Sequence, residues 1–252
     1  MTDGKGPYDL EGKVALITGS SRGIGAGIAR VLADNGADVF VNYRSDKAGA
    51  DDVARSIKAS GRRAWPVQAD VRKTDEIERL FEQIGQETGF IDILVNNAVE
   101  PIAKTAMALT VDEWDRSMNV AARALLLCAQ RAVPLMAGRD HPSIIHLSSR
   151  GAARGGGTYC ALGVAKAAAE SLVRYLAADL ACDGINVNSV RAGSVDTVAA
   201  RVMRGGVPPA PAPDHPLGRL SESEDVGRVV AFLCTPAAAW IRGQVIDATG
   251  NL

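Results

Sequence analysis

Lys13-Val-Ala-Leu-Ile17, Thr18-Gly19-Ser-Ser-Arg-Gly23-Ile-Gly25 and the apolar-periodic run from Ile24 to Leu32 follow one another without a break, and their reading decides the fold. The aliphatic run reads as a short strand, the later run has helical spacing, and a glycine turn joins them. Such a turn lets the backbone approach a pyrophosphate, whose charge is met by the free N–H groups of the helix's first turn. The spacing is Gly-X3-Gly-X-Gly, not the Gly-X-Gly-X2-Gly of the commoner dinucleotide fingerprint. Context therefore favours a dinucleotide cradle over a plain tight turn, with Gly19, Ser21, Arg22, Gly23, Ile24 and Gly25 as its candidate residues.

The next strand, Asp38-Val-Phe-Val-Asn-Tyr43, ends where many NAD sites carry an acid for the ribose hydroxyl, and this chain has Asn42, Tyr43 and Arg44 there, with Arg22 nearby in the glycine loop. Two guanidiniums suit a 2′-phosphate, because each can grip phosphate oxygens with a planar fork. The expectation is NADPH in preference to NADH. The alternative makes Arg44 a solvated loop charge and Asp46 the missing acid.

Beyond this point the pattern repeats: a polar helix at about 46–60, strand 64–68, helix 75–88, strand 91–95, a long helix from Val111 to about Leu135, strand 143–147, another helix and strand 185–190. Repeated βα units with apolar strands predict a single-domain, doubly wound parallel sheet with helices on both faces, and ligands beyond the strands' carboxyl ends. Residues 1–10 read as a flexible N-terminus and 11–252 as one domain. Residues 198–216 carry Gly205, Gly206 and five prolines; such a run excludes an interior helix or central strand and reads as a substrate-covering lid. A last helix at 223–234 and a strand near 244–248 complete the chain.

The net charge of −1 argues against a nucleic-acid or polybasic membrane surface. Four dispersed cysteines and three dispersed histidines lack metal-type or redox-type spacing, so the expectation is no metal and no structural disulfide. No signal peptide or apolar span is visible, which points to the cytoplasm.

Chemistry enters at Tyr159 and Lys166. Seven helical positions bring the lysine back to within about 20° of the tyrosine, two turns along. A nearby ammonium would favour the phenolate and sharpen Tyr159 as an acid or oxyanion partner.

Thr18-Gly-X3-Gly23-X-Gly25, Asp70-Val71, Asn96-Asn97-Ala98, Asn119, Ser149, Tyr159, Lys166 and Gly193-X2-Asp196-Thr197 together resemble a short-chain dehydrogenase/reductase over roughly residues 10–250. The resemblance implies a Rossmann fold, a nicotinamide cofactor and a homotetramer. It places Asp70 and Val71 at the adenine and Asn97 beside the cofactor, with Lys166 at the nicotinamide ribose. Val195 and Thr197 would contact the carboxamide region, and Gly193 would also border the cofactor. Ser149 would assist the substrate oxygen, and Asn119 would hold a helix kink or a proton-relay water.

Ordinary members place tyrosine four residues before the lysine; here that position is Leu162, while Ser149 keeps its seventeen-residue distance from Lys166. Tyr159 gives Tyr-X6-Lys, which resembles the NADPH-dependent enoyl-acyl-carrier-protein reductase branch. A shift of three helical positions moves the side-chain root about 4.5 Å along the axis and about 60° around it. Enoyl reduction, which develops charge on a thioester oxygen two carbons from the hydride's target, would need such a shift. The expected activity is therefore reduction of the C=C bond of a carrier-bound or small acyl thioester. The alternatives are a carbonyl reductase or alcohol dehydrogenase of a specialised, polyketide-type metabolite, and a nicotinamide-binding protein without turnover. Asn-Asn-Ala-Val99-Glu100 in place of Asn-Asn-Ala-Gly, Ala192-Gly193 in place of Pro-Gly, and Asp247-Ala248-Thr249-Gly250 at the end suit a specialised relative.

Overall fold

Successive strand residues point to opposite faces, and the apolar runs fill both: Val14 and Leu16 enter one core, Ala15 and Ile17 the other. A sheet coated this way needs helices on each side. In the computed structural model, which describes residues 8–210 and 216–250, the strands are β1 (Val14–Ile17), β2 (Asp38–Tyr43), β3 (Ala64–Gln68), β4 (Ile93–Asn96), β5 (Ser143–Ser149), β6 (Asn186–Ala192) and β7 (Val245–Ala248). They form one sheet in the order β3-β2-β1-β4-β5-β6-β7, and every pairing is parallel. Helices α1 (Gly23–Asp34) and α2 (Lys47–Ala59) cover one face. Helix α3 (Thr74–Thr88) covers the other. The strand order reverses between β1 and β4, which opens a crevice at their carboxyl ends.

The long helix expected from Val111 is three pieces: α4 (Val111–Met118), a π-helical turn (Asn119–Arg123) and α5 (Ala124–Met136). The apolar period runs through the π turn without Gly or Pro, so nothing local announces it. Asn119 stands at its first residue. Further on come α6 (Cys160–Asp179), which packs beside α5 on the α3 face, a short α7 (Val198–Met203), and α8 (Ser223–Leu233) beside α1.

The expected lid thus opens with a helix. Thr197 caps it by accepting a hydrogen bond from Ala200 N at 3.0 Å, and its prolines begin only after it ends. Residues 211–215 of that segment lie outside the described residues, as do residues 1–7. Of the N-terminal stretch read as flexible, Leu10 is buried in the core, and Tyr8 donates its N–H to Asn35 Oδ1 at 2.8 Å. Among the described residues no helix is long and apolar enough to cross a membrane.

Candidate active site

A cleft of about 850 Å3 runs along the carboxyl ends of β1, β4, β5 and β6. Of the expected residues, Gly19, Ser21, Arg22, Gly23, Ile24, Gly25, Arg44, Asp70, Val71, Asn97, Ser149, Tyr159, Lys166, Gly193, Val195 and Thr197 all line it. Asn119 is not on its wall; the neighbouring Val120 is.

The glycine turn is a cradle with no room for side chains. Gly19 sits at φ +63, where an L side chain is strained. A Cβ on Gly25 would lie 2.5 Å from Asn97 Nδ2 and 2.7 Å from Gly19 O. Asn97 is the brace: its Nδ2 donates to Thr18 O at 2.8 Å and Gly19 O at 3.0 Å, and its N–H donates to Thr18 Oγ1 at 2.9 Å. Asn42, at the end of β2, accepts from Gly19 N at 3.1 Å and donates to Val67 O and Ala69 O. One of the three residues at the strand end where a ribose-binding acid would stand therefore fixes the glycine loop.

At the adenine end, Arg22 lies 3.6 Å from Asp46 and Arg44 lies 3.3 Å from Glu100. Asp46 also accepts from Gly49 N as the cap of α2. Both guanidiniums remain more than half exposed, at 60% and 54%, so an incoming phosphate can draw them from their partners at small cost. Arg72, which the sequence reading passed over, grips Asp70 through Nε and Nη2 and reaches Glu100 Oε2 at 2.7 Å. Burial acts to raise the Asp70 carboxyl, but the hydrogen bonds and charge of Arg72 outweigh it and hold the group below its ordinary value. Its place directly after Asp70-Val71 was the signal available.

At the other end, the expectation of Tyr159 and Lys166 on one helical face is corrected. The helix begins at Cys160, and Tyr159 is its N-cap, with φ −92 and ψ 7. The backbone there is pinned by Lys104 N donating to Thr158 O at 3.0 Å. The ring lies across Gly151, whose Cβ would come within 2.4 Å of the ring carbons. From this position the Tyr159 hydroxyl donates to Ser149 Oγ at 3.1 Å. Lys166 Nζ turns instead to the Leu147 carbonyl.

The electrostatics follow the geometry. Burial pushes the Tyr159 phenol above its ordinary value, against a smaller opposing effect of the Ser149 hydrogen bond. The phenolate favoured by a lysine is thus replaced by a phenol holding its proton. Burial lowers the Lys166 ammonium from 10.5 to about 7, with Glu170 opposing it. His146, buried on β5, is held well below its ordinary value by desolvation and by the Lys166 charge. Leu162, in the ordinary tyrosine position, is a buried wall residue. The arrangement offers a neutral phenol and a serine hydroxyl to one substrate oxygen, beside a lysine able to carry charge.

Comparisons with known proteins agree with this geometry. The family model described as Enoyl-(Acyl carrier protein) reductase matches residues 19–250. A hydroxynaphthalene reductase-like protein of Metarhizium brunneum is 38% identical, with 97% of this chain and 96% of that protein covered. The 3-oxoacyl-[acyl-carrier-protein] reductase FabG of Staphylococcus epidermidis is 33% identical over 95% of this chain and 98% of its own length. Among solved structures, the angucycline C-6 ketoreductase LanV with bound NADP superposes with a TM-score of 0.87 at 34% identity, covering 97% of this chain and 96% of that one. A blue fluorescent protein from a metagenomic library, in complex with NADPH, superposes with a TM-score of 0.85 at 33% identity, covering 96% and 98%. With the glycine cradle, the Ser149–Tyr159 pair and Lys166 in one cleft, and with matches along nearly its whole length, the chain belongs to the short-chain dehydrogenase/reductase family of oxidoreductases.

Proposed function

We propose that this protein is an NADPH-dependent ketoreductase acting on a carbonyl of an aromatic, polyketide-type metabolite. The observation that carries the reading is the 3.1 Å hydrogen bond from the Tyr159 hydroxyl to Ser149 Oγ. Two hydroxyls so placed form a clamp for one carbonyl oxygen, with Ser149 holding it and Tyr159 delivering the proton. A phenol raised by burial stays protonated until that oxygen gains negative charge. The names of the relatives, a hydroxynaphthalene reductase-like protein and an angucycline ketoreductase, support the substrate class.

The cradle at Gly19, Gly23 and Gly25 fits a pyrophosphate, because backbone without side chains lines it and a Cβ at Gly25 would collide. Arg22 and Arg44 would take the 2′-phosphate, and Lys166 the nicotinamide ribose. NADPH, when bound, supplies the hydride. The proposal includes a homotetramer and a cytoplasmic location, as the family likeness implies.

A second reading, reduction of an enoyl thioester, is favoured by the seven-residue distance from Tyr159 to Lys166 with Leu162 between them, and by the description of the matching family model. NADPH oxidation with tetralone-type and polycyclic aromatic ketones, set against trans-2-enoyl thioesters, separates the two. Ketone turnover supports the proposal; enoyl turnover with every ketone inert overturns it.

A further inference from the structure

Glu170 lies on α6 one turn beyond Lys166, and it is 5% exposed. A carboxylate that deep needs partners, and its partners come from two strands. Ser148 Oγ, on β5, donates to Glu170 Oε1 at 2.6 Å. Arg191, on β6, forks onto both oxygens, with Nε at 2.8 Å and Nη2 at 2.7 Å. Arg191 also lies 3.7 Å from Asp247 on β7. Ser148 precedes Ser149 of the hydroxyl clamp, and Arg191 precedes Ala192 and Gly193 on the cleft wall. One side chain therefore joins the helix that carries Lys166 to the ends of both strands that border the reaction.

We propose that Glu170 is a positioning residue of the active site: its carboxylate holds the ends of β5 and β6 in register with α6, and its charge, one helical turn from Lys166, opposes the loss of the lysine's proton on burial. This rests on the ketoreductase reading for the meaning of Ser149, but the Lys166 effect does not depend on the substrate. The groups around Lys166 leave that task to Glu170. His146, facing it from β5, is neutral, and Tyr159, at the helix cap, is a protonated phenol. Arg191, from β6, is engaged by Glu170 itself. On α4 and the π turn, Arg116 is held by Glu100 and Asp112, Glu113 by Lys104, and Arg123 by Arg72 O and Thr74.

The test is Glu170→Gln, which retains size and an acceptor for Ser148. Alongside it stands Glu170→Met/Arg191→Met, which removes both ends of the buried pair and remains informative if the single variant does not fold. Lys166 is titrated directly by NMR of 13C-labelled lysines, assigned with Lys166→Arg, and NADPH affinity is read by fluorescence. In Glu170→Gln the Lys166 titration moves down by about one pH unit or more, NADPH binding at pH 8 weakens several-fold, and the alkaline limb of kcat moves down in parallel. In the double variant, where opposite charges leave together, the titration moves less, but kcat still falls about tenfold because Ser148 and the end of β6 lose their tie to α6. If folded Glu170→Gln leaves the Lys166 titration in place, or if the folded double variant keeps the wild-type kcat, the proposal is overturned. If the titration moves but no ketone is turned over by the wild-type protein, the substrate reading fails and the role of Glu170 stands.

Discussion

Replacing Lys166 by methionine should make the cofactor-free protein more stable at neutral pH, and the excess should fade as the pH rises. The cause is the burial of an ammonium whose Nζ reaches a single carbonyl, Leu147 O. Lys166 titrates near 10.5 in an unfolded chain and at about 7 in the folded one. Between those values the unfolded chain holds the proton and the folded chain does not, so wild-type stability rises with pH; below about 7 both hold it and the penalty is complete. At about 1.4 kcal/mol per pH unit the penalty amounts to roughly 5 kcal/mol. The methionine variant escapes it but leaves the Leu147 carbonyl without a donor, which costs about 1–3 kcal/mol. The net gain at pH 7 is therefore a few kcal/mol, while the pH slope of the difference is independent of that loss. Urea unfolding followed by circular dichroism, on both proteins without nicotinamide at pH 7, 8, 9 and 10, measures it. The gap should shrink by about 1.4 kcal/mol per pH unit. Parallel curves across that window would refute the reasoning.

Tyr159→Phe should lower kcat for a ketone by about 10²- to 10⁴-fold with NADPH affinity unchanged by fluorescence titration. Gly151→Ala should lower kcat as well, because the added methyl must push the Tyr159 ring aside from 2.4 Å, and the loss should exceed any change in thermal stability. Arg44→Ala should weaken NADPH by about tenfold, as expected for a lost charge-assisted bond, and leave NADH unaffected. His146, held well below its ordinary 6.5, is a base that the unfolded chain protonates first. Wild-type stability should therefore fall relative to His146→Asn as the pH drops below about 6.5 and match its pH dependence above, as read by urea unfolding at pH 5 and 7.

The parallel sheet was legible because each strand is short, apolar and followed by a helical period, and because βα connection allows few other arrangements. The cradle was legible because glycine is the residue that tolerates both the φ of +63 at Gly19 and the contact at Gly25. Long-range ion pairs left no local trace. Glu100 meets Arg44, Arg72 and Arg116 from three separate segments, and Glu170 meets Ser148 and Arg191 across two strands. The π turn at Asn119 was hidden because its residues keep the apolar period of the helices around it.

The place of the Tyr159 hydroxyl turns on a helix boundary of one residue. If α6 extended back through Tyr159, the phenol would be rooted about 4.5 Å before the ordinary position and turned about 60° from it, away from the serine. The helix instead begins at Cys160, and the segment before it is free to bend. The hydrogen bond from Lys104 N to Thr158 O and the ring's seat on Gly151 direct that bend inward. The phenol, starting from an earlier residue, then arrives at the same Ser149 that keeps its seventeen-residue distance from Lys166. Spacing along a helix argues for a displaced acid only while both residues are in the helix. With Tyr159 at the cap, the hydroxyl's distance to Ser149 outweighs the count of residues to Lys166 and supports the proposed carbonyl reduction, in which both hydroxyls would meet one oxygen.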